Sequence, residues 1–257
     1  MKAIAVLAYN RPDYLHRTLT ALSACRGIED YTVVVSVDDG QHQKETAKVA
    51  RSFPCVNVKL LHYRRLGVDE HPRWLYDVLF RNHDFIVAIE DDVVPSPDAL
   101  ELCDWFHDLP EQSQYACLCL HSHSRCPDHP LMVREHMRFS PWGWAFTRDT
   151  WNKYLLPEWN LKPETPHGGV GWDWSVNLTI QRHGLKVLYP SLSRTLNIGR
   201  ERGTYENPVS WDEWTRGLIA SDGTYGNRYR IASHLPPGYE QDVDCWVKEV
   251  LDAEADC

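Results

Sequence analysis

Short apolar runs alternate with amphipathic stretches along the first part of the chain. From Asp13 to Ala24, for example, Leu15, Leu19 and Leu22 recur at helical spacing and share one side. The pattern predicts helices at Asp13–Ala24, Gln43–Ser52 and Arg73–Asn82, and strands at Ala3–Ala8, Thr32–Val37, Val58–Tyr63 and Asp84–Ile89. Because strands and helices alternate, we expect an α/β fold with a mainly parallel, doubly wound sheet and right-handed crossovers.

The pattern is looser beyond Pro97 and predicts a second, mixed half. Residues 121–138 are rich in histidine and arginine, and we interpret them as a solvated loop rather than a zinc site, because no helix or CxxC frame fixes the histidines. The predicted elements are helices at Asp98–Asp108, Asp149–Leu156, 173–184 and Gln241–Ala253, and strands at Tyr115–Leu120, Phe139–Phe146 and Lys186–Tyr189, the last strand. We expect one domain over residues 1–220, with a nucleotide-binding half (1–97) and a second half (98–220), and a C-terminal elaboration (221–257) packed on it.

The strand predicted at Asp84–Ile89 ends abruptly in consecutive acids, Glu90, Asp91 and Asp92. Adjacent carboxylates repel, so ionising all of them is costly unless a cation or hydrogen-bond donors lie opposite. Ligands of open α/β sheets bind outside the carboxyl ends of the strands, where these acids are expected to lie. We interpret them as candidate metal ligands. The alternative is an acidic turn that caps the next helix, although Ser96 and Asp98 could cap that helix without them.

Another acid, Asp173, follows a glycine-rich loop in the second half and begins a predicted helix. A cation at the first group of acids could offset the charge on a departing diphosphate, while Asp173 could take the proton from an attacking hydroxyl. Glycosyl transfer from a nucleotide sugar needs both groups. The alternative for Asp173 is an acid that the helix dipole favours at a helix N-terminus.

The segment from Asn197 to Tyr205 has the profile of a mobile lid, because Gly199 and Gly203 flank charged residues. We expect Arg200 and Arg202 to be its phosphate contacts. The alternative is an exposed charged turn with no role in ligand binding.

Composition bears on the binding partners of the protein, the redox state of its cysteines and its location. The formal net charge of −9 and the pI of about 5.8 argue weakly against nonspecific binding to phosphate backbones. The 11 Trp and 12 Tyr suit either stacking on sugars and bases or ordinary core packing. The 8 cysteines include no CxxC pair, and no apolar run reaches the length of a signal peptide or a membrane span. We therefore expect reduced thiols, no membrane span and a cytoplasmic location.

Five motifs resemble, in the same order, those of the inverting, metal-dependent GT-A glycosyltransferases of family 13, which include N-acetylglucosaminyltransferases. They are Asn10-Arg11-Pro12, Val35-Ser36-Val37-Asp38-Asp39-Gly40, His71-Pro72-Arg73-Trp74, Glu90-Asp91-Asp92 and, in the second half, Phe139–Phe146 and Trp172-Asp173 leading to Ser193-Arg194-Thr195 and Gly199. The resemblance spans roughly residues 3–205 and implies a GT-A fold whose second half faces the acceptor.

The resemblance also implies a role for each matching residue. Asp92 would be the only protein ligand of Mn²⁺, with the diphosphate and water as the other ligands, and Asp173 would be the catalytic base. Glu90 and Asp91 would hydrogen-bond the sugar and the ribose of the donor. The other donor-binding residues would be Asp38, which would accept from uracil N3–H, Arg11 and His71 on the nucleotide, Trp172 and Ser193 within the matching motifs, and Arg200 and Arg202. Asp39 departs from the family pattern, which usually has a cysteine after the uracil-contacting acid.

The sequence therefore predicts an inverting transferase that moves a sugar, N-acetylglucosamine by resemblance, from a UDP-sugar to a hydroxyl of a glycan or protein. Because the Golgi members carry an anchor and stem and this chain shows neither, we expect a prokaryotic or viral setting. A hydroxymethylated base of DNA is the alternative acceptor. It would need a basic surface, for which the candidates are Arg125, Arg134, Arg138, Arg200, Arg202, Arg216, Arg228 and Arg230. The alternatives from other classes are a metal-dependent phosphohydrolase or nucleotidyltransferase and a sugar-binding module.

Overall fold

The computed structural model describes residues 1–62, 64–122, 129–160, 171–202, 212 and 220–232. Strands and helices alternate through the first half, as predicted, and the second half is mixed. The strands are β1 (Lys2–Ala8), β2 (Tyr31–Val37), β3 (Val58–Leu61), β4 (Phe85–Glu90), β5 (Val93–Pro95), β6 (Tyr115–Cys119), β7 (Met132–His136), β8 (Trp144–Thr147), β9 (Lys186–Pro190), β10 (Thr195–Asn197) and β11 (Arg230–Ile231). The helices are α1 (Pro12–Ser23), α2 (Gln43–Ser52), α3 (Gly67–Leu79), α4 (Ala99–His107), α5 (Arg148–Thr150), which continues as a wider π turn (Trp151–Leu155), and α6 (Trp172–Arg182).

A single 9-stranded sheet has the order β11-β7-β9-β6-β8-β4-β1-β2-β3. Strand β1 is parallel to β2 and to β4, and β2 is parallel to β3, so the first half is the parallel unit that the alternation predicts. In the second half, β8 runs antiparallel between β4 and β6, and β7 runs antiparallel to β9. The mainly parallel sheet with a mixed second half is thereby confirmed.

Both faces of the sheet are covered by helices, as a doubly wound fold requires. Successive residues of β1 point to opposite faces, so that Ile4 belongs to one core layer and Ala5 to the other. The first layer contains apolar side chains of α1 and α4, and the second contains those of α3 and α6. Because helices cover the two faces, the carboxyl ends of β1, β2 and β4 remain as the edge at which polar groups can gather.

Helix α3 begins at Gly67, six residues before its predicted start at Arg73. The reason is a long-range cap, since the carboxylate of Asp38 accepts from the amides of Leu66 and Gly67, both at 2.8 Å. These contacts satisfy donors that a helix start leaves unpaired. Pro72 consequently lies inside the helix rather than before it.

Three predictions about the second half were wrong. Residues 121–138 were interpreted as a loop, but they contain β7. This strand pairs with β9, so that Arg134 lies opposite Tyr189. The strand expected from Phe139 begins only at Trp144, because the Phe139 amide donates instead to Asn177 Oδ1 of α6 at 2.8 Å. Lys186–Tyr189 is not the last strand, since β10 and β11 follow it.

Asp98 and Ser96 do not cap α4 with their side chains, contrary to the prediction. Asp98 is fully buried and forms an ion pair with the equally buried Arg194, with 2.9 Å between Oδ2 and Nε. It also accepts hydrogen bonds from Ser96 Oγ at 2.7 Å and Ser221 Oγ at 2.8 Å. The ion pair fixes the approach to β10, which pairs antiparallel with β5 directly after the acids of β4.

Five cysteines of the described residues are free thiols, in agreement with the expectation of reduced cysteines. Cys117 and Cys119 point into the same core layer, as predicted from their spacing on one strand. Across the described residues, no helix combines the length and apolar character needed to span a bilayer. The helix predicted at Gln241–Ala253 lies outside the described residues.

Candidate active site

The carboxyl ends of three neighbouring parallel strands bring together most of the predicted site. The register pairs Ala8 with Val37 and Leu7 with Glu90, so the residues after β1, β2 and β4 emerge side by side. Arg11 follows β1, Asp38 follows β2, and the acids from Glu90 onward end β4. The parallel topology therefore places Asp38 and Arg11 at the same edge of the sheet as the acids of β4.

Asp91 is buried, with 1% of its surface exposed, and both of its carboxylate oxygens have partners. Oδ1 accepts from Arg11 Nη2, and Oδ2 accepts from the Tyr9 amide at 2.9 Å. Its carbonyl oxygen accepts from Thr18 Oγ1 at 2.8 Å. Burial raises the pKa of Asp91 to about 7, although the Arg11 guanidinium opposes this change. These contacts tie Asp91 into the fold, and its predicted contact with the donor stays a prediction.

Asp92 is also buried, but its two oxygens differ. Oδ2 accepts from Arg11 Nη1 at 2.7 Å, whereas Oδ1 is buried and has no hydrogen-bond partner. The start of the predicted lid lies against it, because the Ile198 amide donates to the Asp92 carbonyl oxygen at 2.8 Å. A Cβ on Gly199 would come within 2.4 Å of Asp92 Oδ2, so only glycine fits there without a shift.

These groups fit a divalent cation with a single protein ligand. A buried carboxylate oxygen without a partner is costly, and Mn²⁺ and Mg²⁺ prefer such oxygen ligands. Within the part of the chain that the structure describes, no group of three or more His, Cys, Asp or Glu side chains forms a metal centre. Coordination by one carboxylate, Asp92, completed by oxygens of the donor and water, stays a prediction.

Glu90 is the only half-buried member of the acidic run, and among the described residues its carboxylate forms no hydrogen bond. Burial raises the pKa of Glu90 well above its ordinary value, and the charges of Asp92 and Asp173 add to this effect. The charge of Asp173, in the second half of the chain, thus acts on Glu90 in the first half.

Asp173 lies in the first turn of α6 and is half-buried. Burial raises the pKa of Asp173, the backbone amides of Asp173 and Trp174 lower it, and the charge of Asp69 adds to the increase. Its position in the first turn of α6 is the one that the alternative interpretation expects. Asp173 also has the raised proton affinity that a general base needs.

Asp38 and two histidines lie at the carboxyl end of β2 and are held by hydrogen bonds. Oδ2 of Asp38 accepts from one amide and keeps one acceptor position, whereas Oδ1 accepts from two amides. Nε2 of His71 and Nε2 of His62 each lie 2.8 Å from Ser36 Oγ. Burial lowers the pKa of His71 to about 4, so its ring is neutral at physiological pH. Ser36 and His62 were missed from sequence, although Ser36 lies within a matched motif.

Comparison with known proteins places this geometry in a family. The profile described as "Glycosyltransferase like family 2" matches residues 2–212. The chain belongs to this glycosyltransferase family. A solved mannosyltransferase, PcManGT from Pyrobaculum calidifontis in complex with GDP-Man and Mn²⁺, superposes with a TM-score of 0.55 at 16% identity over 83% of this chain and 60% of that chain. The α/β fold is accordingly of the GT-A glycosyltransferase type.

One relative of this chain has a described activity. An alpha-1,3-mannosyl-glycoprotein 2-beta-N-acetylglucosaminyltransferase of Arabidopsis thaliana is 23% identical over 263 residues, which cover 91% of this chain and 57% of the relative. The chain thus spans somewhat more than half the length of that relative.

Two residues predicted to bind the donor, Trp172 and Ser193, have contacts of their own within the fold. The ring of Trp172 is buried between Trp144 and Trp159, with centroids at 5.8 Å and 5.4 Å. Ser193 is buried and donates from Oγ to the Thr195 carbonyl oxygen at 2.7 Å. Among the described residues, neither side chain contacts the acids of β4. Their contacts fit packing and chain positioning, and their donor contacts stay predictions.

Arg200 and Arg202 lie on the surface of the lid segment, whose residues from 203 to 205 fall outside the described part. Arg200 pairs with Asp212 at 2.7 Å through both Nε and Nη2. Arg202 pairs with Asp13 and stacks over Tyr14, 4.5 Å from the ring centroid. Its carbonyl oxygen accepts from Arg11 Nη1 at 3.2 Å, which ties the segment to the acidic centre.

Proposed function

We propose that this protein is a metal-dependent inverting glycosyltransferase of the family 13 type, which transfers N-acetylglucosamine from UDP-N-acetylglucosamine to a hydroxyl of a glycan or protein. The observation that carries the proposal is the unpartnered, buried Oδ1 of Asp92, at the same edge of the sheet as Asp38 and the neutral His71. The activity of the Arabidopsis thaliana relative supports the choice of sugar, and the nucleotide sugar and Mn²⁺ of the solved mannosyltransferase support the cofactor class.

Asp92 would hold the cation, which offsets the charge that develops on the departing diphosphate. Asp38 would accept from the base, and a neutral His71 can donate or accept there without charge. Glu90 would bind a hydroxyl of the donor, because its carboxylate has free acceptor capacity. Arg200 and Arg202 would reach the diphosphate when the segment from Asn197 to Tyr205 closes.

The transfer step assigns the acceptor proton to Asp173. The acceptor hydroxyl gives its proton to the Asp173 carboxylate while its oxygen attacks the anomeric carbon from the side opposite the diphosphate. The bond between that carbon and the diphosphate oxygen breaks, and the diphosphate leaves with the electron pair. An α-linked donor therefore yields a β-linked product.

DNA as the acceptor, and the alternative classes of protein, have less support than the proposed transferase. Of the arginines that could track DNA, Arg134 is buried, and Arg200 and Arg202 are paired with aspartates. A phosphohydrolase or nucleotidyltransferase would need more than one strong carboxylate on its metals, yet the oxygens of Asp91 are taken. A sugar-binding module has no use for a base pocket beside a cation site.

A donor-by-acceptor screen with UDP release as the readout tests the proposal, with and without Mn²⁺. We expect release only with a UDP-sugar, a hydroxyl acceptor and the cation, and a β-linked product by NMR. An α-linked product would refute the inverting mechanism. Hydroxymethylated DNA is included across a salt series, because transfer to DNA falls steeply with salt and transfer to a neutral sugar does not. Label incorporated only into DNA would overturn the proposed acceptor.

A further inference from the structure

The positively charged side chain of Arg11 lies against the acids at the end of β4. Arg11 donates from Nη2 to Asp91 Oδ1 and from Nη1 to Asp92 Oδ2, at 2.7 Å for the second contact. Only 15% of the Arg11 side chain is exposed. The guanidinium therefore neutralises a buried pair of carboxylates that would otherwise be very costly to ionise.

The two acids hold Arg11 unequally. Asp91 has partners on both oxygens and on its carbonyl group, so it is a fixed anchor for the guanidinium. Asp92 has one oxygen on Arg11 and one oxygen without a partner. A cation that binds Asp92 thus shares a carboxylate with Arg11, while Arg11 keeps its contact with Asp91.

We propose that Arg11 is an internal counter-ion that opposes cation binding at Asp92 and then turns its Nη1 group to the donor diphosphate, so that cation and nucleotide bind as a coupled pair. This inference rests on the proposed function. A guanidinium and a divalent cation on one carboxylate repel each other, so either Arg11 moves or the cation binds weakly. A diphosphate supplies anionic oxygens to both groups and removes the conflict, because arginine matches phosphate geometry.

The lid segment takes part in the same exchange. Nη1 of Arg11 also donates to the carbonyl oxygen of Arg202 at 3.2 Å, and Gly199 lies against Asp92 Oδ2. When Nη1 turns to a diphosphate, it releases both the Asp92 carboxylate and the carbonyl oxygen of Arg202. Binding of the two ligands is then reciprocal, since each raises the affinity for the other.

The test measures Mn²⁺ affinity by electron paramagnetic resonance on the full chain, first without nucleotide and then with UDP. We expect Arg11→Met to bind Mn²⁺ about tenfold more tightly than the wild type without UDP, the size of effect expected for a charge-assisted hydrogen bond. We also expect UDP to raise its Mn²⁺ affinity by a smaller factor than in the wild type. The control is Arg65→Met, since Arg65 is an exposed arginine over the Tyr9 ring and lacks contact with these acids. It should change neither value.

Equal or weaker Mn²⁺ binding by Arg11→Met would overturn the inference and leave Arg11 as a structural ion pair. If that variant does not fold, Arg11→Gln serves instead, because a neutral amide can still donate to Asp91 without repelling a cation on Asp92. It should also bind Mn²⁺ more tightly than the wild type, and equal affinity would overturn the inference. A wild type that binds neither Mn²⁺ nor UDP would refute the proposed function itself.

Discussion

The carboxyl end of β4 and the first turn of α6 both carry acids that face the candidate site, but their surroundings differ. Asp92 is buried in direct contact with the guanidinium of Arg11, which keeps its charge compensated. Asp173 is half-buried and forms no ion pair among the described residues, and burial raises its pKa. Asp92 has a guanidinium in direct contact, whereas Asp173 has only the charge of Arg138, which partly offsets the effect of burial without forming an ion pair with Asp173. This difference fits the proposed roles of Asp92 as ligand and Asp173 as base.

The largest effect is expected from Asp92→Asn, which removes the charge of the Asp92 side chain and keeps nearly the same side-chain shape. We expect Mn²⁺-dependent UDP binding to disappear and turnover to fall on the order of a thousandfold, by analogy with the loss of single electrostatic groups in enzyme sites. Calorimetric titration with UDP and Mn²⁺ measures the binding, and circular dichroism checks the fold. Glu90→Gln should be milder, because Glu90 would lose hydrogen bonding and not metal ligation. Full metal dependence in Asp92→Asn would end the assignment of the ligand.

The next effect concerns the acid of α6. Asp173→Asn should keep the affinity for UDP-sugar and lose about 10²- to 10⁴-fold in turnover, the range for removal of a general base. The asparagine oxygen can still accept from the helix amides, so the free energy of unfolding should hardly change. Separate measurement of donor Kd and of kcat distinguishes the two outcomes. Unchanged kcat would leave Asp173 as a helix-capping acid and would remove the contrast between the two regions.

The elements predicted well are those set by local sequence. Helix α2 has its predicted bounds at Gln43–Ser52, because apolar periodicity and turn residues lie within the element. For the same reason, β1 and β2 differ from their predictions by one residue at the first end, and β4 by one residue at each end. The acids at the end of β4 were found because parallel topology alone brings strand ends together.

The elements that failed depend on partners far along the chain. Strand β7 exists because β9 pairs with it, and α3 starts early because Asp38 caps it from 28 residues away. Contacts between distant residues also explain why Ser36 was missed, since its hydroxyl meets the rings of His62 and His71 only in the folded chain. The burial of Trp172 between two other tryptophan rings could likewise not be seen from sequence, and its donor contact stays a prediction.

Unfolding measured across a pH series tests the burial of His71, which lies near the carboxyl end of β2. Because the folded pKa of His71, about 4, is below the ordinary histidine value, the unfolded chain takes up the proton first as the pH falls. The stabilisation is complete above the unfolded pKa of about 6.5 and is lost as the pH falls from there to the folded pKa, a change on the order of 3 kcal/mol in the free energy of unfolding. Urea unfolding across this range should show the slope, and His71→Gln should reduce it. His107→Gln, at an exposed histidine, is the control, and an identical slope in His71→Gln would contradict the burial argument.

The smallest expected effect concerns the rings that hold the start of α6. The Trp159 Nε1 group donates to the Asp69 carbonyl oxygen of α3 at 2.8 Å, and the Trp159 ring stacks on Trp172, the residue before Asp173. Trp159→Phe keeps a stacking ring but removes this hydrogen bond between α3 and the aromatic cluster. Trp151→Phe is a matched control, because Trp151 is equally buried and its Nε1 group has no hydrogen-bond partner.

Both variants lose a similar apolar volume, so their difference isolates the hydrogen bond. We expect Trp159→Phe to lower the free energy of unfolding by about 1 to 2 kcal/mol more than Trp151→Phe, measured by urea unfolding. We also expect kcat to fall a few-fold with donor Kd unchanged, because a small displacement of the α6 start moves the base and not the nucleotide pocket. Equal kcat in the two variants would mean that the stack stabilises the fold without positioning Asp173, and the acid of α6 would then be held by its own helix turn alone.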